Sequence, residues 1–112
     1  MKVNDIASVI EARVICGDDA KNFEGVYVGD LLSRAMSHVE CDNIWVTIMS
    51  NINVVAVATL TEPAAIVLAE GVVLQEDALN GAQENGITVL STELSAYEIC
   101  ARLHNALSEI NQ

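Results

Sequence analysis

The residues best equipped for chemistry in this chain are short polar side chains at the ends of apolar runs. Ser50, Asn51 and Asn53 follow Ile44-Trp45-Val46-Thr47-Ile48. Glu70 and Gly71 follow the run at 64–68, and Ser91, Thr92 and Glu93 follow Ile87-Thr88-Val89-Leu90. Hydroxyls, carboxamides and carboxylates so placed can hydrogen-bond a small molecule, and free N–H groups at helix starts favour an anion. Ser50, Asn51, Asn53, Glu70, Gly71, Ser91 and Thr92 are therefore the candidate ligand-binding residues. Glu70 and Glu93 oppose an anion, and no Lys or Arg stands near these turns in the sequence. The same residue types serve as helix caps and turn formers, and that plainer role carries more weight.

Other chemistry is harder to find. His104 follows Cys100 by one helical turn, which is half of a metal site at most, so no metal is expected. Cys16, Cys41 and Cys100 are far apart, and no C-x-x-C pair is present, which excludes a zinc ribbon or a thioredoxin-like motif. The three read as small buried hydrophobes in a reducing compartment. No Ser-His-Asp order, glycine-rich phosphate loop or kinase signature can be traced. The sequence thus offers no catalytic residue and calls for no cofactor, and an enzyme is the last of the function classes it supports.

The elements that must position these residues follow from periodicity. Each apolar run leads into a short polar turn and then a helix, three times over: a strand at 44–48 and a helix from about Ile52, a strand at 64–68 and a helix near 75–85, a strand at 87–90 and a final helix. Ahead of them, Ile6, Val9 and Ile10 mark a short helix capped by Asn4. Arg13-Val14-Ile15-Cys16 and Gly25-Val26-Tyr27-Val28 read as strands. Leu31, Leu32, Ala35, Met36 and Val39 form the apolar face of a helix capped by Asp30. Pro63 stops the helix before it, and Gly86 suits a left-handed position after the next. Ser95 and Glu98 make a capping box, with Leu94 and Ile99 as a hydrophobic staple. Ile99, Leu103, Leu107 and Ile110 then run down the buried side of the last helix. Strands alternating with helices imply a mainly parallel sheet. The fold class is α/β, with four or five strands and helices packed on them, and residues 1–112 form one small domain.

The segment Ile52–Leu60 is rich in β-branched residues, and a central strand is its alternative. The preceding strand and the cap at Ser50 or Asn51 favour a helix. As a helix it has almost no polar side, so a second subunit is expected to cover it, and a symmetric homodimer follows.

Composition narrows the partners. The chain carries 16 acids against five bases, a net charge of −11. Five scattered bases cannot displace counterions from a nucleic acid or hold an anionic membrane surface. The polar start Met1-Lys2-Val3-Asn4-Asp5 lacks the apolar core of a signal peptide, and no apolar run is long enough to span a bilayer. The expected setting is the cytoplasm.

Four stretches carry a resemblance. Val26-Tyr27-Val28-Gly29-Asp30-Leu31-Leu32-Ser33, Trp45-Val46-Thr47-Ile48, Asn53-Val54-Val55-Ala56-Val57-Ala58 and Leu90-Ser91-Thr92-Glu93-Leu94-Ser95 resemble a small stand-alone DRTGG domain. Members occur inside some phosphotransacetylases and beside CBS domains, and stand-alone ones are similar to the N-terminal domain of HPr kinase. The resemblance implies a regulatory role without kinase activity. The family's Asp-Arg falls in the turn Met49-Ser50-Asn51-Ile52-Asn53, which has neither residue. Its Thr-Gly-Gly falls at Ala69-Glu70-Gly71, where Gly71 alone matches. The function expected is a non-catalytic regulatory or protein-interaction module working as a homodimer. Its competitor is a nucleotide or metabolite sensor that uses the strand-end turns.

Overall fold

Ile44, Trp45, Val46 and Thr47 are all buried, as a strand covered on both faces requires. A computed structural model of the chain describes residues 1–110, with side chains to Glu109; the burial expected of Ile110 lies outside the described residues. The elements run α1 (Val3–Val9), β1 (Arg13–Cys16), β2 (Val26–Val28), α2 (Leu32–His38), β3 (Ile44–Thr47), α3 (Ile52–Thr61), β4 (Ala65–Leu68), α4 (Glu76–Glu84), β5 (Val89–Ser91) and α5 (Ala96–Ile110). Five strands form one sheet in the order β1-β5-β4-β3-β2.

Strands β2 to β5 are parallel neighbours in chain order. Crossovers of one hand, stepping always in one direction, place their helices on one face. Accordingly α2, α3 and α4 share a core with Trp45, Ile66, Leu68 and Val89. The alternate residues Ile44, Val46, Ala65, Val67 and Leu90 meet α1 and α5 on the other face. The period-2 alternation of strands thus divides one apolar sequence between two cores.

β1 departs from the parallel pattern. It runs antiparallel to β5, with Arg13 opposite Ser91 and Cys16 opposite Val89. The segment joining β1 to β2 contains no crossover helix and stays along one end of the sheet, where Asp18 N–H bonds Thr88 Oγ1 and Glu24 N–H bonds the Asp42 carbonyl. A link confined to one end can join only strands of opposite direction.

The segment 52–61 is a helix, capped by the Asn51 side chain, which accepts from Asn53 N–H at 3.0 Å. Its apolar residues divide between a buried side and an exposed, uncharged one. Val54, Val55, Val57 and Ala58 are buried, whereas Ile52, Asn53, Ala56, Thr59 and Leu60 are exposed. Helices α2 and α4 flank α3 and bury the apolar residues on its sides. Gly81 lets α4 come close, since a Cβ there would press on Ile52 Cδ1.

Two expected caps are also corrected. Asn4 lies inside α1; Lys2 is the N-cap, and Asp5 accepts from its N–H at 2.8 Å. Leu31, not Asp30, caps α2. Other boundaries hold: Glu62 ends α3 in a left-handed conformation before Pro63, and Gly86 is left-handed at φ 66°. Ser95 Oγ accepts from Glu98 N–H, and Ile99 and Leu94 join the same core.

Candidate functional site

Because β3, β4 and β5 are adjacent and parallel, with Thr47, Leu68 and Ser91 in register, their carboxyl ends lie along one edge. Ligands of open parallel sheets bind beyond such an edge. Ser50, Asn51 and Asn53 stand at the end of β3, Glu70 and Gly71 at the end of β4, and Ser91 and Thr92 at the end of β5. Backbone bonds stitch these turns together. Gly71 N–H donates to the Thr92 carbonyl and Glu70 N–H to the Leu94 carbonyl, both at 2.9 Å, while Gln75 N–H donates to the Ser50 carbonyl at 2.9 Å. Glu70 and Gly71 are both left-handed, with φ 59° and 70°.

Most of these groups are occupied by the fold itself. The Thr92 hydroxyl is buried and donates to the Ile10 carbonyl at 2.7 Å while accepting from Leu94 N–H. The Asn51 carboxamide oxygen closes the start of α3. Asp77 Oδ1 accepts from Ala78 N–H at the start of α4, where Glu76 adds a second acid, and Ser95 does the same service for α5. An anion at the start of α3 or α5 has to displace an acceptor the protein already supplies, and at the start of α4 it meets the acids Glu76 and Asp77. Asn53 is exposed on α3, and Glu70 is exposed at the edge. Ser91, half-buried, lines two cavities there, one shared with Thr92.

Two residues at this edge are invisible to local sequence reasoning. Asp30, at the end of β2, accepts from Thr47 Oγ1 at 2.8 Å and from Ile48 N–H at 2.9 Å. Arg13 arrives from the opposite direction, through the antiparallel pairing that sets it against Ser91. The cavity it shares with Ser91 and Thr92 is also lined by Glu11 and Glu93. Arg102 holds Glu11 at 3.2 Å and also donates to the Val9 carbonyl. A β strand of known direction would have pointed to Arg13, but nothing in the sequence fixes that direction.

The half metal site does not grow. Cys100 and His104 line a cavity with Val26, Val28, Leu103 and Leu107, and among the described residues no three His, Cys, Asp or Glu side chains gather as a metal would need. The cysteines are all free, but Cys41 is exposed, against the expectation of three buried thiols; Cys16 and Cys100 are half-buried. Burial pushes the Cys16 and Cys100 thiols up from their ordinary value. Loss of water and the carboxylates of Asp42 and Glu62 do the same to Cys41.

A mixed sheet with helices on both faces and a parallel strand-end edge defines a small α/β domain. The family model of the DRTGG domain matches residues 5–106, so this chain belongs to the DRTGG domain family. No curated protein matches the sequence. Among solved structures, the fold is similar to the CBS and DRTGG domains of the regulatory region of Clostridium perfringens pyrophosphatase, solved with its activator diadenosine tetraphosphate. The TM-score is 0.69 at 13% identity, over 88% of this chain and 44% of that one. Among the described residues no helix is long and apolar enough to cross a membrane.

Proposed function

We propose that this DRTGG domain is a non-catalytic regulatory and protein-interaction module that works as a homodimer in a reducing cytoplasm. The observation that carries the reading is the outer surface of α3. Ile52, Ala56 and Leu60 recur every fourth residue and are exposed, Leu60 by 70%, and their exposed neighbours Asn53 and Thr59 are also uncharged. Two copies of a chain with net charge −11 repel each other, and least where no like charges are brought face to face. The outer side of α3 is such a surface, and two-fold symmetry would set the stripe against itself. Light scattering at micromolar concentration tests this. A dimer mass for the wild-type chain that falls to a monomer in Leu60→Glu, with the helical signal retained, is expected. A wild-type monomer rejects it.

A second reading has its own support. The strand-end turns of three strands lie together, and the regulatory region of the pyrophosphatase takes a nucleotide activator. As a sensor, the domain would use Ser50, Asn51, Asn53, Glu70, Gly71, Ser91 and Thr92. The capped helix starts weigh against a polyphosphate at this edge, so the sensor reading favours a ligand of lower charge. A gain in melting temperature with a metabolite, from binding to the folded state alone, would separate it from a pure interaction module.

A further inference from the structure

Between the sheet and α4, at the same strand-end edge, is a cavity of about 110 Å³. An apolar cavity of roughly 150 Å³ holds a benzene ring, so this one has room for a short aliphatic chain. Leu68, at its base, is wholly buried, and Leu74 is nearly so. Ile15 and Leu79 add half-buried aliphatic wall. The polar contribution comes from two residues, Arg13 and Ser91, which face each other directly across the β1–β5 pairing. The cavity is therefore an aliphatic pocket with one guanidinium and one hydroxyl.

The charge arrangement selects the ligand. Arg13 makes no ion pair among the described residues; both bridges there belong to Arg102. Glu11 is held by Arg102, and the Glu93 carboxylate lies over Gly71, where an added Cβ would collide with it. Both acids line the adjoining cavity with Arg13. A monoanion can take the free guanidinium as a bidentate partner, with Ser91 as a further donor. A dianion would bring a second charge up against Glu11 and Glu93. An ammonium would meet Arg13 itself.

We propose that this cavity binds a small aliphatic monocarboxylate, its carboxylate on Arg13 and Ser91 and its chain against Leu68, Leu74, Leu79 and Ile15. The proposal deepens the ligand-sensing reading by naming a ligand class, and it does not depend on the dimer.

Pentanoate is the probe, with 1-pentanol and pentylamine as controls of equal chain length. Melting temperature, amide shifts and mass by light scattering are read on the same wild-type and Arg13→Gln samples. The expected result is a rise in melting temperature with pentanoate alone, amide shifts centred on Ser91 and Leu79, and loss of both in Arg13→Gln. Arg13→Lys should recover only part, because an ammonium cannot form the bidentate pair. No response to pentanoate, an equal response in Arg13→Gln, or shifts centred elsewhere each overturns the proposal. A metabolite other than a carboxylate that raises the melting temperature in that case keeps the sensing reading and removes only this ligand class. The mass reports on the dimer separately.

Discussion

The carboxylate of Asp30 receives the hydroxyl of Thr47 at 2.8 Å, joining the end of β2 to the end of β3. The same oxygen accepts from Ile48 N–H, and Thr47 Oγ1 in turn accepts from Met49 N–H. Thr47 is buried, so its donor left without a partner would carry a desolvation cost. Asp30 is itself exposed, which weakens its share. Asp30→Ala should therefore cost about 1–2 kcal/mol, discounted from the range of about 1.5–3 for a hydrogen bond to a charged group, and Asp30→Asn less because an acceptor survives. Urea unfolding with an unchanged m-value measures it. A loss below about 0.5 kcal/mol for Asp30→Ala would mean the bond is not held in solution.

The thiols give a pH dependence. Burial raises Cys16 and Cys100 above the ordinary 9.0, so the folded chain holds these protons more tightly than the unfolded one. That stability is fully present below pH 9.0 and is lost as pH rises through the raised native values. The urea midpoint should fall as pH rises above 9.0 towards the raised native values, and fall less in the double variant Cys16→Ser, Cys100→Ser. Thiol labelling of the native protein should modify Cys41 first because it is exposed, yet slower than a free peptide thiol because loss of water and then Asp42 and Glu62 disfavour its thiolate. Labelling of Cys100 ahead of Cys41 contradicts the structure.

What could be read from the sequence was whatever depends on near neighbours. The largely apolar runs at β3 and β4 announce strands buried on both faces, and Asn51, Pro63, Gly86 and Ser95 fix helix ends through their own backbone chemistry. The strand ends carrying Ser50, Glu70 and Ser91 were legible for the same reason, since parallel βαβ units align like ends. Direction and long-range hydrogen bonding were not. Asp30 before a helix reads as a cap whether its carboxylate turns to its own helix or to Thr47. Asn4 loses the cap position because Lys2 is drawn into a bridge with Asn22, far along the chain. Arg13 becomes part of the strand-end edge only through the antiparallel β1. Read from sequence, α3 has one apolar side for the sheet and a second that needs a cover; the flanking by α2 and α4 was not legible, since it depends on crossovers that share a face.

That flanking separates two kinds of substitution along α3. Val55 and Val57 are almost wholly buried, packed in the core between the sheet, α2 and α4. A carboxylate at either place would be stripped of water without a partner, a cost of several kcal/mol that a domain of ordinary stability cannot absorb. Val55→Asp and Val57→Asp should therefore unfold the chain, with loss of helical signal, and should not yield a folded monomer. Ala56 and Leu60 point outward, and a charge there touches no core residue. Ala56→Glu and Leu60→Glu should keep stability within about 0.5 kcal/mol of the wild-type value for the subunit, as exposed substitutions do. Whatever they change in mass is then a property of the α3 surface alone. Urea unfolding and light scattering on the four variants make the comparison. If Val57→Asp stays folded, or Leu60→Glu unfolds the subunit, the orientation of α3 described above is wrong.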